Sequence, residues 1–186
     1  METIGIFTRD LIEDCIHRAS VLSRVNGDGF DTERSDMDML MRVLCAVGRM
    51  VDASDAERRA SVVDNRGYDG WYAVNVLDTV EDWLAVVCLR LFDFCGRRQL
   101  LPLMFRDRLV DMDTDFKDSF ALYSMREQAY VLCVLVTDVA RTKTLREYAL
   151  GSVFSFLAAL ARHHHIDLVR CVEMRLSYDE TKAKSI

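Results

Sequence analysis

Residues that interrupt helices are scarce in this chain. Its 186 residues include one proline, Pro102, and only eight glycines. Alternation of apolar and polar residues does not persist beyond a few positions, so strand signals are nearly absent. Long helices are therefore expected. The sequence predicts a single all-α domain over residues 1–186, a length that can bury a core without disulfides or metals.

Long apolar runs and targeting segments are also missing. The longest apolar runs, such as that from Tyr130 to Thr137, are too short to cross a bilayer. The N-terminus lacks the basic segment followed by an apolar one that marks a secretory signal peptide. We therefore expect a cytoplasmic protein without a membrane partner.

Several kinds of site are excluded by composition and spacing. The six cysteines are scattered without a Cys-x-x-Cys, and in a cytosolic chain we expect them to be reduced and buried. The net charge of −6 disfavours binding to nucleic acid or to anionic membranes. No Ser/His/Asp arrangement, P-loop or Gly-x-Gly-x-x-Gly motif is present, so these enzyme classes gain no support.

Apolar residues at helical spacing predict six helices. Their ranges are 5–24, 36–53, 79–95, 119–140, 145–164 and 168–184. Ser35 or Asp36 is expected to cap the second helix, and Asp78 or Thr79 the third, which Gly96 is expected to close. Between the helices the sequence predicts a turn at 26–29, a long and partly mobile connection at 54–76, a short helix or linker at 100–110 and an acidic turn at 111–118.

Three segments resemble one protein family. Residues 34–53 contain Arg-Ser-Asp-Met-Asp-Met-Leu-Met and are similar, without a gap, to R-S-x-x-E-M-L-M-L-I-x-S-E-L-S-E-A-L-E-A. Residues 79–96 are similar to T-x-E-D-E-L-A-D-x-x-I-R-L-L-D-L-C-G, and residues 166–182 to I-D-L-x-x-H-V-E-L-K-M-x-Y-N-x-T-R. These patterns are those of the MazG-like nucleoside triphosphate pyrophosphohydrolases.

The resemblance implies an all-α bundle of about five to seven helices arranged in antiparallel hairpins. Active members of the family hydrolyse nucleoside triphosphates to a monophosphate and pyrophosphate with Mg²⁺. Two carboxylates at i and i+3 share one helix face. A second pair on a facing helix completes an oxygen cage for Mg²⁺. The metal neutralises the phosphates and activates the attacking water.

This chain departs from the family at all four expected metal ligands. Ala46 and Arg49 stand in one carboxylate pair and Trp83 and Val86 in the other. The surrounding pattern is kept at Gly48, Asp52, Glu81, Asp82, Leu84, Ala85, Arg90 and Asp93. We expect no metal or cofactor, no catalysis, a helix 79–95 buried on nearly all sides, and a former cleft narrowed by the indole of Trp83. The expected role is that of a non-catalytic interaction or regulatory protein.

Two other functions stay open at this point. Asp52, Glu81 and Asp93 are candidates for a relocated carboxylate site, which would make the chain an active Mg²⁺-dependent pyrophosphohydrolase. Arg49, together with Arg175 and Tyr178, is a candidate for binding the phosphates of a nucleotide without metal. Asp179 follows Tyr178 and would repel phosphate. For Arg49 we favour an ion pair with Asp52, Asp93 or Glu81.

The remaining features concern surfaces. His163, His164 and His165 are interpreted as a solvated cluster at a helix C-terminus and not as metal ligands, and His17 as an isolated structural residue. As family members do, the chain is expected to associate as a dimer or tetramer, or with an active relative. Four aromatic residues suit either such an interface or the core: Tyr123, Tyr130, Tyr148 and Phe154.

Overall fold

The computed structural model describes residues 8–25, 34–60, 68–101 and 123–184. In these ranges the chain forms helices and no strands, which confirms the predicted all-α class. The helices are α1 (Arg9–Val25), α2 (Asp36–Asp55), α3 (Tyr68–Asn75), α4 (Val80–Arg98), α5 (Met125–Arg141), α6 (Arg146–His163) and α7 (Leu168–Lys184). Several predicted features lie outside the described residues: the turn at 26–29, residues 61–67 of the connection, residues 102–110 of the linker and the acidic turn at 111–118. The same holds for residues 5–7 of the predicted helix 5–24 and residues 119–122 of the predicted helix 119–140.

Helix α3 is the element that the sequence pattern did not predict. It falls within residues 54–76, which were expected to form a connection, and it has only eight residues. So short a segment shows too few turns for periodicity to be visible, and it would be marginal as an isolated helix. Its Tyr72 is 2% exposed, and the helix contacts α7. Tertiary packing therefore stabilises α3.

Side-chain caps begin α2 and α4 where the sequence predicts them. The Oγ of Ser35 accepts a hydrogen bond from the backbone N–H of Asp38 at 3.1 Å. The Oγ1 of Thr79 accepts one from the backbone N–H of Asp82 at 3.3 Å. Of the two candidates at each end, Ser35 and Thr79 are the caps.

The end of α4 differs from the prediction. Gly96 does not close the helix, which continues to Arg98 and ends with Gln99 in the left-handed region at φ 53°. The backbone N–H of Leu100 donates to the carbonyl of Cys95 at 2.9 Å, the hydrogen bond that defines a Schellman ending.

Gly96 serves the packing of α4 against α1. A Cβ atom at this position would collide with the Oγ of Ser20 and would lie 3.2 Å from the carbonyl oxygen of Ile16. The two helices therefore approach closely here, and a side chain at position 96 would have to displace the Ser20 hydroxyl and press on the backbone of Ile16.

Helix α4 is the central element. It contacts α1, α2, α6 and α7, and thirteen of its nineteen residues are buried, which confirms the predicted burial on nearly all sides. Phe92 stacks on Phe154 of α6 with ring centroids 5.0 Å apart. Phe154 is therefore a core residue, whereas Tyr123, Tyr130 and Tyr148 are exposed.

The cysteines are unpaired, and most follow the prediction. Cys15, Cys88, Cys95 and Cys171 are buried and Cys133 is half-buried, but Cys45 is exposed on α2, contrary to expectation. Burial raises the pKa of the Cys15 and Cys171 thiols to about 12, so these groups stay protonated and unreactive near neutral pH.

Within the part of the chain that the structure describes, no helix combines the length and the apolar character needed to span a membrane.

Candidate functional site

Helices α2 and α4 run antiparallel. At one end, Nε of Arg98 donates to Oδ1 of Asp36 at 2.6 Å. Beyond the other end, the backbone N–H of Val80 donates to the carbonyl of Arg58 at 3.1 Å. The start of one helix therefore lies beside the end of the other.

This arrangement brings Ala46, Arg49, Trp83 and Val86 to one level. At about 1.5 Å per residue, residues 46–49 lie roughly 15–20 Å from Asp36, and residues 83–86 roughly 18–22 Å from Arg98. The two pairs that the resemblance marks as metal ligands are thus in the middle of the same helix pair.

Three of the four positions belong to the apolar packing. Ala46 is 1% exposed, Val86 is 7% exposed, and Trp83 is half-buried against the core. Arg49 is exposed, and the described ranges contain no ion-pair partner for it. The expected ion pair of Arg49 with Asp52, Asp93 or Glu81 is therefore not formed among these residues.

Glu81 is bound by the chain that follows α2. Its Oε1 accepts from Nε of Arg59 at 2.6 Å, and its Oε2 accepts from the backbone N–H of Ala60 at 3.0 Å. The same guanidinium donates from Nη2 to the carbonyl of His164 at 3.1 Å. Glu81 is 6% exposed, and both of its carboxylate oxygens accept hydrogen bonds. It therefore fixes residues 59–60 against the helical bundle.

Asp93 is bound elsewhere on α4. It accepts from the hydroxyl of Ser23 at 3.0 Å and from Nε of Arg97 at 2.9 Å. Asp93 follows Glu81 by twelve residues on one helix, a separation of about 18 Å. Two carboxylates so far apart cannot share an ion, whose ligands lie within about 2.6 Å of it.

Asp52 does not complete such a site either. Its side chain is exposed on α2, on the side away from the buried residues of that helix. Among the described residues, no group of three or more His, Cys, Asp or Glu side chains is arranged to hold a metal ion. The relocated site considered from the sequence is thus not assembled in this part of the chain.

Asp82 is the centre of a buried polar network. It is 0% exposed, and its Oδ1 accepts from the hydroxyl of Tyr72 at 2.6 Å and from Nη1 of Arg175 at 2.8 Å. Its Oδ2 accepts from the backbone N–H of Asp78 at 3.0 Å. Burial, and then the neighbouring Asp82 carboxylate, raise the pKa of the Tyr72 phenol, which stays protonated and can donate. The network joins α3, α4 and α7.

Arg175 and Tyr178, the phosphate-binding candidates, are part of this network. Nε of Arg175 donates to Oδ2 of Asp179 at 3.0 Å, and the ring of Tyr178 stacks on Tyr72 with centroids 5.0 Å apart. Burial lowers the pKa of Arg175, but the charges of Asp82 and Asp179 outweigh it and the pKa is raised overall. A phosphate at Arg175 would have to displace a buried carboxylate.

This network was not predicted from the sequence, although a local signal existed for part of it. The spacing of Arg175 and Asp179 by four residues predicts their contact on a helix face. The partner Asp82 lies 93 residues away from Arg175, and no local signal joins them.

The histidine cluster is not uniformly solvated. His163 and His165 are exposed, but His164 is half-buried, and its Nε2 lies 2.8 Å from Oε1 of Gln128. Since Nε2 of Gln128 donates to the carbonyl of Tyr123, the amide oxygen faces the ring and accepts from it. Burial, followed by the neighbouring His163 and Arg59, lowers the pKa of His164 to about 4. The expected solvated cluster is wrong for this residue.

A scan against protein-family models, a search of curated proteins and a search of solved structures each found no match to this chain.

Proposed function

We propose that this chain is a non-catalytic helical protein of MazG-like architecture that acts by binding other proteins. The observation that supports this proposal is the apolar packing in the middle of the α2–α4 pair. There Ala46, Trp83 and Val86 pack as apolar residues at positions where the resemblance calls for carboxylates.

Electrostatics explains why this substitution removes the chemistry. Mg²⁺ needs several oxygen ligands, and three of the four positions offer hydrocarbon or indole while the fourth offers a cation. Without the metal, the negative charge of a triphosphate is not neutralised and the attacking water is not activated. The acids that remain nearby, Glu81, Asp82 and Asp93, are neutralised by arginines.

The two other functions have less support. An active enzyme with a relocated site needs Glu81 and Asp93 to converge, and α4 separates them by about 18 Å. A metal-free nucleotide-binding protein would keep Arg49 but lose Arg175, whose charge is matched by two carboxylates.

The partner that we propose is another copy of this chain or a catalytically active relative. The unpaired state of all six cysteines fits the reducing cytoplasm, which is where we place the protein.

A panel of nucleoside triphosphates incubated with the chain and Mg²⁺ or Mn²⁺ tests the absence of catalysis. We expect no pyrophosphate release above that of a protein-free sample, and no heat on calorimetric titration with Mg²⁺. Chelator-sensitive release that disappears in Asp93→Ala or Glu81→Ala would contradict the proposal and support the relocated site. Arg9→Ala, on the exposed side of α1, is the matched control.

A further inference from the structure

Four residues form a stripe on the exposed side of α2: Met37, Met41, Cys45 and Gly48, here called the α2 face. Their spacings of four, four and three residues place them on one side of the helix. Met37 is 60% exposed and Met41 is 48% exposed, and Cys45 and Gly48 are exposed as well. Two large apolar side chains so close together on a helix surface are typical of a contact with another molecule.

Helix α5, which packs beside α2, also carries exposed apolar residues. Nη2 of Arg126, near the start of α5, lies 2.8 Å from Oδ2 of Asp55 at the end of α2. On α5, Tyr130 is 71% exposed and Val134, one turn later, is 42% exposed. These two residues lie on the helix that packs beside α2.

Among the described residues, nothing packs closely enough to require glycine at position 48. A Cβ at this position would meet no atom of the described residues within 4 Å, whereas a Cβ at Gly96 would collide with α1. Glycine weakens the interior of a helix, so its presence in the middle of α2 calls for another explanation. Close approach of a second backbone, for which a side chain would be in the way, is such an explanation.

The charges that border the α2 face are self-complementary. Asp38 is half-exposed, and its contacts with Arg34 and Arg42 are long, at 3.9 and 3.6 Å. Arg49, near the other end of the stripe, has no ion-pair partner in the described ranges. A copy of α2 in the opposite direction would place an arginine beside each aspartate. A two-fold interface requires this kind of matching, because one surface faces itself.

We infer that the α2 face binds a second copy of this chain, with the two α2 helices antiparallel about a two-fold axis between Met41 and Cys45. In this register Met41 packs on the partner's Cys45. Asp38 lies opposite the partner's Gly48 and reaches the adjacent Arg49 of the partner subunit. The inference rests on the proposed interaction role and assigns it a surface. It also gives a role to Arg49, the cation at a former ligand position.

Charge exchange is the test of this interface, with association measured by sedimentation equilibrium. The chain is expected to be a dimer, which Arg49→Asp and Asp38→Arg should each weaken by about tenfold or more, because each variant sets like charges against each other. The double variant D38R/R49D should regain near-native association, since the pair is restored with reversed signs. Arg9→Asp on α1 is the matched control and should leave the dimer unchanged.

Cys45 supplies a second readout, because it is the only exposed thiol among the six. A short bismaleimide should join two native chains, and Cys45→Ser should abolish the product. Far-ultraviolet circular dichroism of each variant checks that loss of the dimer is not loss of folding. A folded monomer at all accessible concentrations would overturn the inference, as would a dimer insensitive to both charge reversals. Neither result bears on pyrophosphate release, so the association experiment and the pyrophosphate assay can fail independently.

Discussion

The buried contact between Asp82 and Arg175 makes a quantitative prediction. Arg175→Met keeps the length of the side chain and its packing but removes its charge. The carboxylate of Asp82, which is 0% exposed, would keep the hydrogen bonds from Tyr72 and from the backbone of Asp78 but would lose its counter-ion.

The expected cost follows from the burial of this pair. Removing one member of a buried ion pair costs about 3–5 kcal/mol, because an uncompensated charge stays in a medium of low polarity. We therefore expect Arg175→Met to lower the free energy of unfolding by about 3–5 kcal/mol. The double variant D82N/R175M should recover part of this loss, because the remaining side chain is neutral. The exposed pair of Arg9 and Glu13 is the reference, and Arg9→Met should cause no measurable change.

Urea denaturation followed by circular dichroism measures these differences, and an unchanged slope would show that the unfolded states remain comparable. If Arg175→Met cost no more than Arg9→Met, the pair would not stabilise the fold. Arg175 would then be free to bind an anion, and the phosphate-binding alternative would gain support.

Three further predictions use the same assay. Gly96→Ala should lower the free energy of unfolding by about 1–3 kcal/mol, because the added methyl group collides with α1. Gly48→Ala, measured at protein concentrations too low for association, should raise it by about 1 kcal/mol. Equal effects of the two substitutions would refute the difference in packing. Gln99→Gly should stabilise by about 1 kcal/mol, because glycine adopts the left-handed conformation without strain, and an unchanged stability would contradict this. The pKa of His164 is about 4 in the folded chain, below its usual 6.5. On acidification the unfolded chain therefore binds the proton before the folded chain does. The free energy of unfolding should fall between pH 6.5 and pH 4, by about 1–2 kcal/mol after allowance for the half-exposed ring. His164→Gln should reduce this loss, whereas His17→Gln on the surface should not.

The local sequence determined most of the secondary structure. Apolar spacing places α2 at 36–53 and α7 at 168–184, close to the observed bounds. The caps were readable to within two neighbouring candidates at each end, because a cap bonds the backbone three residues onward, and the structure selected Ser35 and Thr79. The absence of carboxylates at Ala46, Arg49, Trp83 and Val86 is likewise a property of the sequence. These features depend on neighbours a few residues apart, which is the range at which a sequence pattern carries information.

Only the tertiary structure decided what the polar residues do. Asp82 meets Arg175 across 93 residues, and Glu81 meets Arg59 across 22. Burial of His164 depends on Gln128 of another helix, and the need for glycine at position 96 depends on α1. Helix α3 is too short to be detected and is held by α7. In each case the deciding energy is a contact between distant segments, and it exists only once the helices have packed.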